Sequence, residues 1–463
     1  MKVKSIVLAL TAILAAPVAF AAPADLATVP ANNVFYISGA SAQTPGLAKT
    51  ITALCSAAME TYSTGTSATN SFIYYCPSAK AITSSSVSTG FTAGAKFLVH
   101  KMDQGGSFNG VGPVSPTGSL VGFPKFGNAA ACTASTTVAL NPSLIAGTQA
   151  GNCALSTVTV RPQLGLSDVP KSIWAARGQL SAADNASLKA IGGFAGQGFG
   201  VAVSSALYTA LQLDQGTTGQ PSISRNQYAS LAQASADGGV WDILLPNSAK
   251  AVAAGNPAPV GTWPPATQLT LHRRVATSGT QAASDVYFLN NPCELGTTLG
   301  GALVPTAGSA TADTPLTYAD VTFYTPAVNF LVNERSSTGG VRTGLAAAGY
   351  AIGVLSLENL EANIGGGAKF VKIDDTSPTI DTLQKANLVN GNYDFAYEIE
   401  LLTANSAPAN VNNLATALSK ELANGNVGVA GVYSDPAAGF YIEGETNHYS
   451  RNNNACKKAS WSW

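Results

Sequence analysis

The sequence predicts an α/β fold in two lobes, and three observations carry that expectation. The chain has 463 residues, more than one hydrophobic core normally organises. Short β-type runs alternate with helical runs along most of its length, the pattern of largely parallel sheets covered by helices. Small-residue turns join strand-like runs to the helices after them at Ser38-Gly39-Ala40-Ser41-Ala42 and at Thr277-Ser278-Gly279-Thr280. A hydrophobic content of 46% sets the chain well apart from disordered sequences.

Taken in order, Lys2 and Lys4 precede an apolar run from Ile6 to Val18, and Ala19-Phe20-Ala21 supplies small residues at the −3 and −1 positions of a cleavage site. Residues 1–21 therefore read as a signal peptide cut near Ala21, which sends the chain to the periplasm or the medium. The run is too short to span a bilayer, and no Cys adjoins the cut to carry a lipid. A linker from Ala22 to Asn33 leads to the strand-like Val34-Phe35-Tyr36-Ile37. Leu47 to Met59 then has helical spacing. The Ser/Thr/Gly-rich stretch around 61–155 reads as an irregular or β-rich insertion holding cysteines. Further strand-like runs lie at Thr157–Val160, Phe199–Val203, Leu269–Leu271, Ala351–Leu355 and Phe395–Ile399. Helical runs lie at Leu180–Ile191, Arg225–Ala236 and Gln281–Leu289. The order predicts one lobe from 22–204 and 396–463 and a second from 205–395, with the hinge crossed at least twice.

The formal net charge is −1, and losing Lys2 and Lys4 with the leader makes it about −3, so nothing in it favours nucleic acid or an anionic membrane as a partner. Six cysteines, Cys55, Cys76, Cys132, Cys153, Cys293 and Cys456, form an even set in an exported chain, which predicts disulfides. About fifteen pairings are open. Proximity favours Cys55 with Cys76 and Cys132 with Cys153, each worth about 3 kcal/mol in the chain-entropy model, and leaves Cys293 for Cys456. Zinc is the competing reading, but no CxxC pair is present and there are three His.

The segment Leu271-His272-Arg273-Arg274-Val275-Ala276-Thr277-Ser278-Gly279-Thr280 carries the strongest chemical signal. A strand that turns through Ser-Gly-Thr into a helix presents unused backbone N–H groups and the positive end of the helix dipole to an anion. Ser278 and Thr280 add hydroxyls, Gly279 permits close approach, and Arg274 can add a charge-assisted contact. The plainer reading makes Ser278 or Thr277 a helix cap. In Gly165-Leu166-Ser167-Asp168-Val169-Pro170, Asp168 is an acid in a nearly charge-free neighbourhood. It is either a turn residue or the acceptor for an oxyanion that keeps a proton, in which case phosphate is selected over sulfate.

Together with Ser38-Gly39-Ala40-Ser41-Ala42, these segments resemble, in order, the three ligand-binding segments of the periplasmic phosphate-binding proteins of ABC transporters. Ile223–Tyr228, Gly239-Val240-Trp241, Tyr350–Val354 and Asn392–Phe395 resemble flanking stretches of that family, so the likeness covers about Val34 to Leu402 with gaps. It implies a two-lobed periplasmic-binding-protein fold with a hinge and a central cleft that holds phosphate or a related oxyanion, no cofactor, ABC-transporter membrane subunits as partners, and a monomer. Carried over by position, the acid is Asp168, the guanidinium Arg274, and the remaining donors Ser278, Gly279 and Thr280. The first loop contributes Ser41, Ala42 and Gln43, and Ser107 in Gly105-Gly106-Ser107-Phe108 corresponds to a further serine contact. The family usually has Thr-Phe where this chain has Gln43-Thr44.

Catalysis is not expected. No GxSxG elbow and no GxGxxG loop in a βαβ unit occurs, and His100, His272 and His448 stand in ordinary surroundings. The competing function is an extracellular structural or adhesive protein that keeps the fold without the ligand. The joint presence of Asp168 and Arg274 argues against it.

Overall fold

A computed structural model describes residues 23–461, except 65–70, 81–82, 85–86, 89–92, 103–105, 119–122, 127–131, 134–146, 192–193, 234–239, 266–267, 294–314, 318–329, 426–428 and 435–445. The signal peptide expected over 1–21 lies outside the described residues.

The fold is mixed α/β and built on two large sheets, but the expectation of largely parallel pairing is corrected: parallel ladders hold Val34–Gly39 and Leu269–Arg274 to their neighbours and Glu60–Ser63 to Thr148–Cys153, and the other described pairings in both sheets are antiparallel. In the first, Val34–Gly39 lies between Phe97–Met102 and Leu164–Ser167 and is parallel to both. Glu400–Ala404 and Leu188–Ile191 extend one side by antiparallel pairing. Ser71–Cys76, Glu60–Ser63, Thr148–Cys153 and Cys132–Thr133 extend the other. The cysteine-containing stretch thus supplies a flank of this sheet. Phe97–Met102 is buried at every position, the pattern of a strand covered on both faces.

Helix Thr44–Leu54 buries Leu47, Ile51 and Leu54 against Leu414, Leu418 and Leu422 of helix Ala409–Gly425. Full burial of each such side chain stabilises by about 1.5–3 kcal/mol. The helix expected to reach Met59 stops at Leu54, because Cys55 turns extended, bonds Cys76 and bridges Ala79.

In the second sheet the order is Pro315–Thr317, Phe330–Arg335, Leu269–Arg274, Tyr350–Ser356, Ala195–Val203 and Lys369–Phe370. Leu269–Arg274 is parallel to both its neighbours. Ala195–Val203, buried throughout, pairs through its second half with Tyr350–Ser356 and through its first half with Ala396–Glu398 and Val432–Ser434. From Ala396–Glu398 the chain runs directly into Glu400–Ala404 of the first sheet. The strand-like run Phe395–Ile399 is thereby divided at Ile399, whose N–H donates to Ala195 O at 2.9 Å.

The helix expected over Leu180–Ile191 holds only over Ala182–Ser187. Helix Ala182–Ser187, capped by Ser181, ends where Leu188–Ile191 pairs with Leu401–Ala404. A ladder to a strand more than 200 residues away overrides the local spacing. The six cysteines form the pairs Cys55–Cys76, Cys132–Cys153 and Cys293–Cys456. Among the described residues, no helix is long and apolar enough to cross a membrane.

Candidate functional site

Asp168 directly follows Leu164–Ser167, at the carboxyl end of a strand beside the centre of the first sheet, where open α/β sheets gather ligands. It is 3% exposed. Ser107 Oγ donates to its Oδ2 at 3.0 Å and Gln43 Nε2 to its Oδ1 at 3.3 Å. Burial pushes the Asp168 carboxyl upward in pKa, while the Ser107 and Gln43 hydrogen bonds and the charges of Arg274 and Lys101 pull it back. Gln43 stands just before helix Thr44–Leu54. Its Nε2 also donates to Gln197 Oε1 at 3.1 Å, and its Oε1 has no partner among the described residues. Beneath the first loop, the buried Lys101 Nζ donates to Gly39 O at 3.1 Å and Ala40 O at 3.3 Å.

Arg274 ends a central strand of the second sheet and is 4% exposed. Its Nη1 donates to Thr338 Oγ1 at 2.7 Å and its Nη2 to Ser336 O at 3.2 Å, while its Nε has no partner among the described residues. Burial lowers its pKa to about 10, against the pull of Asp168 and Glu358. Ser278 Oγ accepts from Gln281 N at 3.4 Å, so Ser278 caps helix Gly279–Leu289. That cap leaves the first-turn N–H groups of Gly279 and Thr280 beyond the reach of any helix carbonyl.

The two sets of residues meet. Phe108 N donates to Thr277 O at 3.0 Å, and Arg177 pairs with Asp285 at 2.9 Å. Gly106 has φ +79°, and a Cβ on it would stand 2.9 Å from both Ser278 Cα and Thr277 O. A Cβ on Gly279 would collide with Ser107 Oγ and lie 2.7 Å from Asp168 Oδ2. Gln43, Ser107, Asp168, Ser278 and Gly279 therefore come together, and Arg274 is coupled to Asp168 through charge. Ser41, Ala42 and Thr280 flank them in the same turns.

Sequence reasoning missed Lys101, Gln197 and Glu358. Two signals were available: a lone cation inside the apolar run Phe97–Met102, and the first acid past Tyr350–Ser356. His100 and His272 are buried and held neutral, with burial lowering them to about 3 and about 4. His100 Nε2 lies 2.7 Å from Ser71 Oγ, and Arg335 Nε donates to His272 Nδ1 at 3.3 Å. A cavity of about 840 Å³ lies elsewhere, lined by Arg225, Tyr287, Asp394 and Arg451 among others. Arg451 spends its guanidinium on backbone carbonyls of Ala396, Lys457 and Asp394, and Tyr287 is covered by Arg225 on the ring and by Phe395 stacked at 4.3 Å. We therefore place the candidate site at Asp168 and Arg274.

No protein-family model matches the chain, and no curated protein matches it. Among solved structures it is similar to an ABC-type phosphate transport receptor from Vibrio cholerae (12% identity, TM-score 0.29, 56% of this chain and 74% of that one). It is also similar to PstS from Borrelia burgdorferi (13%, 0.28, 59% and 81%). A third similar structure is a possible phosphate binding protein from Planctomyces limnophilus (12%, 0.32, 84% and 87%).

Proposed function

We propose that this protein is an exported, non-enzymatic binding protein for a protonated tetrahedral oxyanion, inorganic phosphate above all, and that it delivers this ligand to the membrane subunits of an ABC-type transporter. One observation carries the reading: an acid held only by neutral donors, Asp168, at the end of a first-sheet strand, lies against the start of helix Gly279–Leu289, which follows the second-sheet strand that ends in the buried guanidinium of Arg274. Among the described residues Asp168 and Arg274 form no direct ion pair. A ligand that both donates and accepts suits the space between an acceptor and a set of donors, and a phosphate that keeps one proton does both. Sulfate, fully ionised, offers Asp168 only repulsion.

The test is calorimetric titration of the mature protein with phosphate, arsenate and sulfate. Phosphate and arsenate are expected to bind and sulfate not to. Equal or absent binding of phosphate and sulfate would leave the structural or adhesive reading in its place.

A further inference from the structure

We propose that Glu358 belongs to the same site and meets the anion as a neutral carboxylic acid, so that binding of the phosphate dianion takes up a proton from solvent. This rests on the reading of the site given above and extends it.

Glu358 lies two residues past Tyr350–Ser356, the strand that runs beside and parallel to Leu269–Arg274, so it emerges at the same carboxyl edge as Arg274. The turn that carries it is fixed: Leu357 N donates to Gly198 O at 2.9 Å and Gln384 Nε2 to Leu357 O at 2.6 Å. Ser356 Oγ and Asn359 Nδ2 both donate to Glu358 Oε1, each at 2.8 Å. Oε2 is shielded from solvent and has no hydrogen-bond partner among the described residues. An orphaned carboxyl oxygen in such a place is costly unless it carries a proton or meets a donor.

The charged groups acting on it come from both sheets. Asp168 opposes its ionisation, and Arg274 favours it. Burial, helped by the Asp168 charge, pushes the Glu358 carboxyl up to about 7, and the donors from Ser356 and Asn359 only partly offset this. Asp168 must be ionised to accept the proton that the anion keeps. An ionised Glu358 would then put a second negative charge beside a dianion. Protonated, it donates Oε2–H to an anion oxygen instead. The step is a proton transfer: the H–A bond of a solvent or buffer acid breaks, its electron pair stays on that acid, an O–H bond forms on Oε2, and this O–H donates to an anion oxygen while the complex lasts.

The experiment is titration of the native protein with inorganic phosphate at pH 8.5, where phosphate is already the dianion, in buffers of different ionisation enthalpy. Uptake of about one proton per phosphate is expected, together with an affinity that falls about tenfold per pH unit above about pH 8. Glu358→Gln keeps a donor without a titration, so its proton uptake is expected near zero and its affinity nearly flat over that range. No proton uptake by native protein that does bind phosphate overturns the role of Glu358 alone, whether or not the variant folds. An unchanged pH profile in a folded Glu358→Gln does the same. Absence of phosphate binding at every pH overturns the site reading itself.

Discussion

The two walls of the proposed site are built from opposite chemistry. The first-sheet wall presents a carboxylate, Asp168, whose hydrogen bonds come from a serine and a glutamine, with Lys101 turned to the carbonyls beneath the first loop. The second-sheet wall presents a guanidinium, Arg274, oriented by Thr338 and Ser336, and the opening turn of helix Gly279–Leu289. One wall accepts and the other donates. A contact meant only to hold the two sheets together would join the two charges directly, as Arg177 and Asp285 are joined at 2.9 Å nearby. Asp168 and Arg274 feel each other's charge without being bonded, which leaves each able to serve a third party.

The largest expected effect comes from stripping the donor wall. Arg274→Ala removes a charge-assisted contact and leaves Asp168 without its counter-charge, a loss on the order of 2–5 kcal/mol for a desolvated pair. Phosphate affinity measured by calorimetry should fall at least about thirtyfold. A fall of less than about twofold would mean that the donor wall is the helix start alone. Keeping the walls apart should cost less. Gly279→Ala puts a methyl into Ser107 Oγ and against Asp168 Oδ2, so phosphate should bind about tenfold more weakly while the melting temperature without ligand stays close to native. Gly219→Ala is the control, because a Cβ there meets only Thr217 Oγ1 at 3.6 Å.

The sequence disclosed these two walls unequally. The donor wall was legible because its parts are contiguous: strand, Arg274, turn and helix follow one another within a short segment, and each step is local. Asp168 was legible as an isolated acid, yet what positions it was not. Gln43, Ser107 and Gln197 reach it or one another across sequence separations of 61 to 154 residues, which no periodicity encodes. The same cause hid Leu188–Ile191, read as helix from its spacing and drawn into a strand by Glu400–Ala404. Lys101 and Glu358 share a different reason. Each is a charge in or just past an apolar strand, and only the enclosure of Lys101 and of Glu358 Oε2 distinguishes them from residues on a solvated edge.

The smallest expected change in phosphate affinity comes from altering the acceptor wall without emptying it. Asp168→Asn keeps the shape, and the amide oxygen can still accept from Ser107 or from the anion's proton, while the amide nitrogen adds a donor. The repulsion that excludes a fully ionised anion disappears with the charge. Phosphate affinity should therefore drop only severalfold, less than in Arg274→Ala, whereas sulfate, expected not to bind the native protein, should begin to bind. Parallel titrations of native protein and variant with both anions measure this as a ratio of affinities. If the variant loses phosphate as completely as Arg274→Ala does and still ignores sulfate, Asp168 holds the walls in place rather than reading the anion's proton. Selectivity would then have to come from the donor wall.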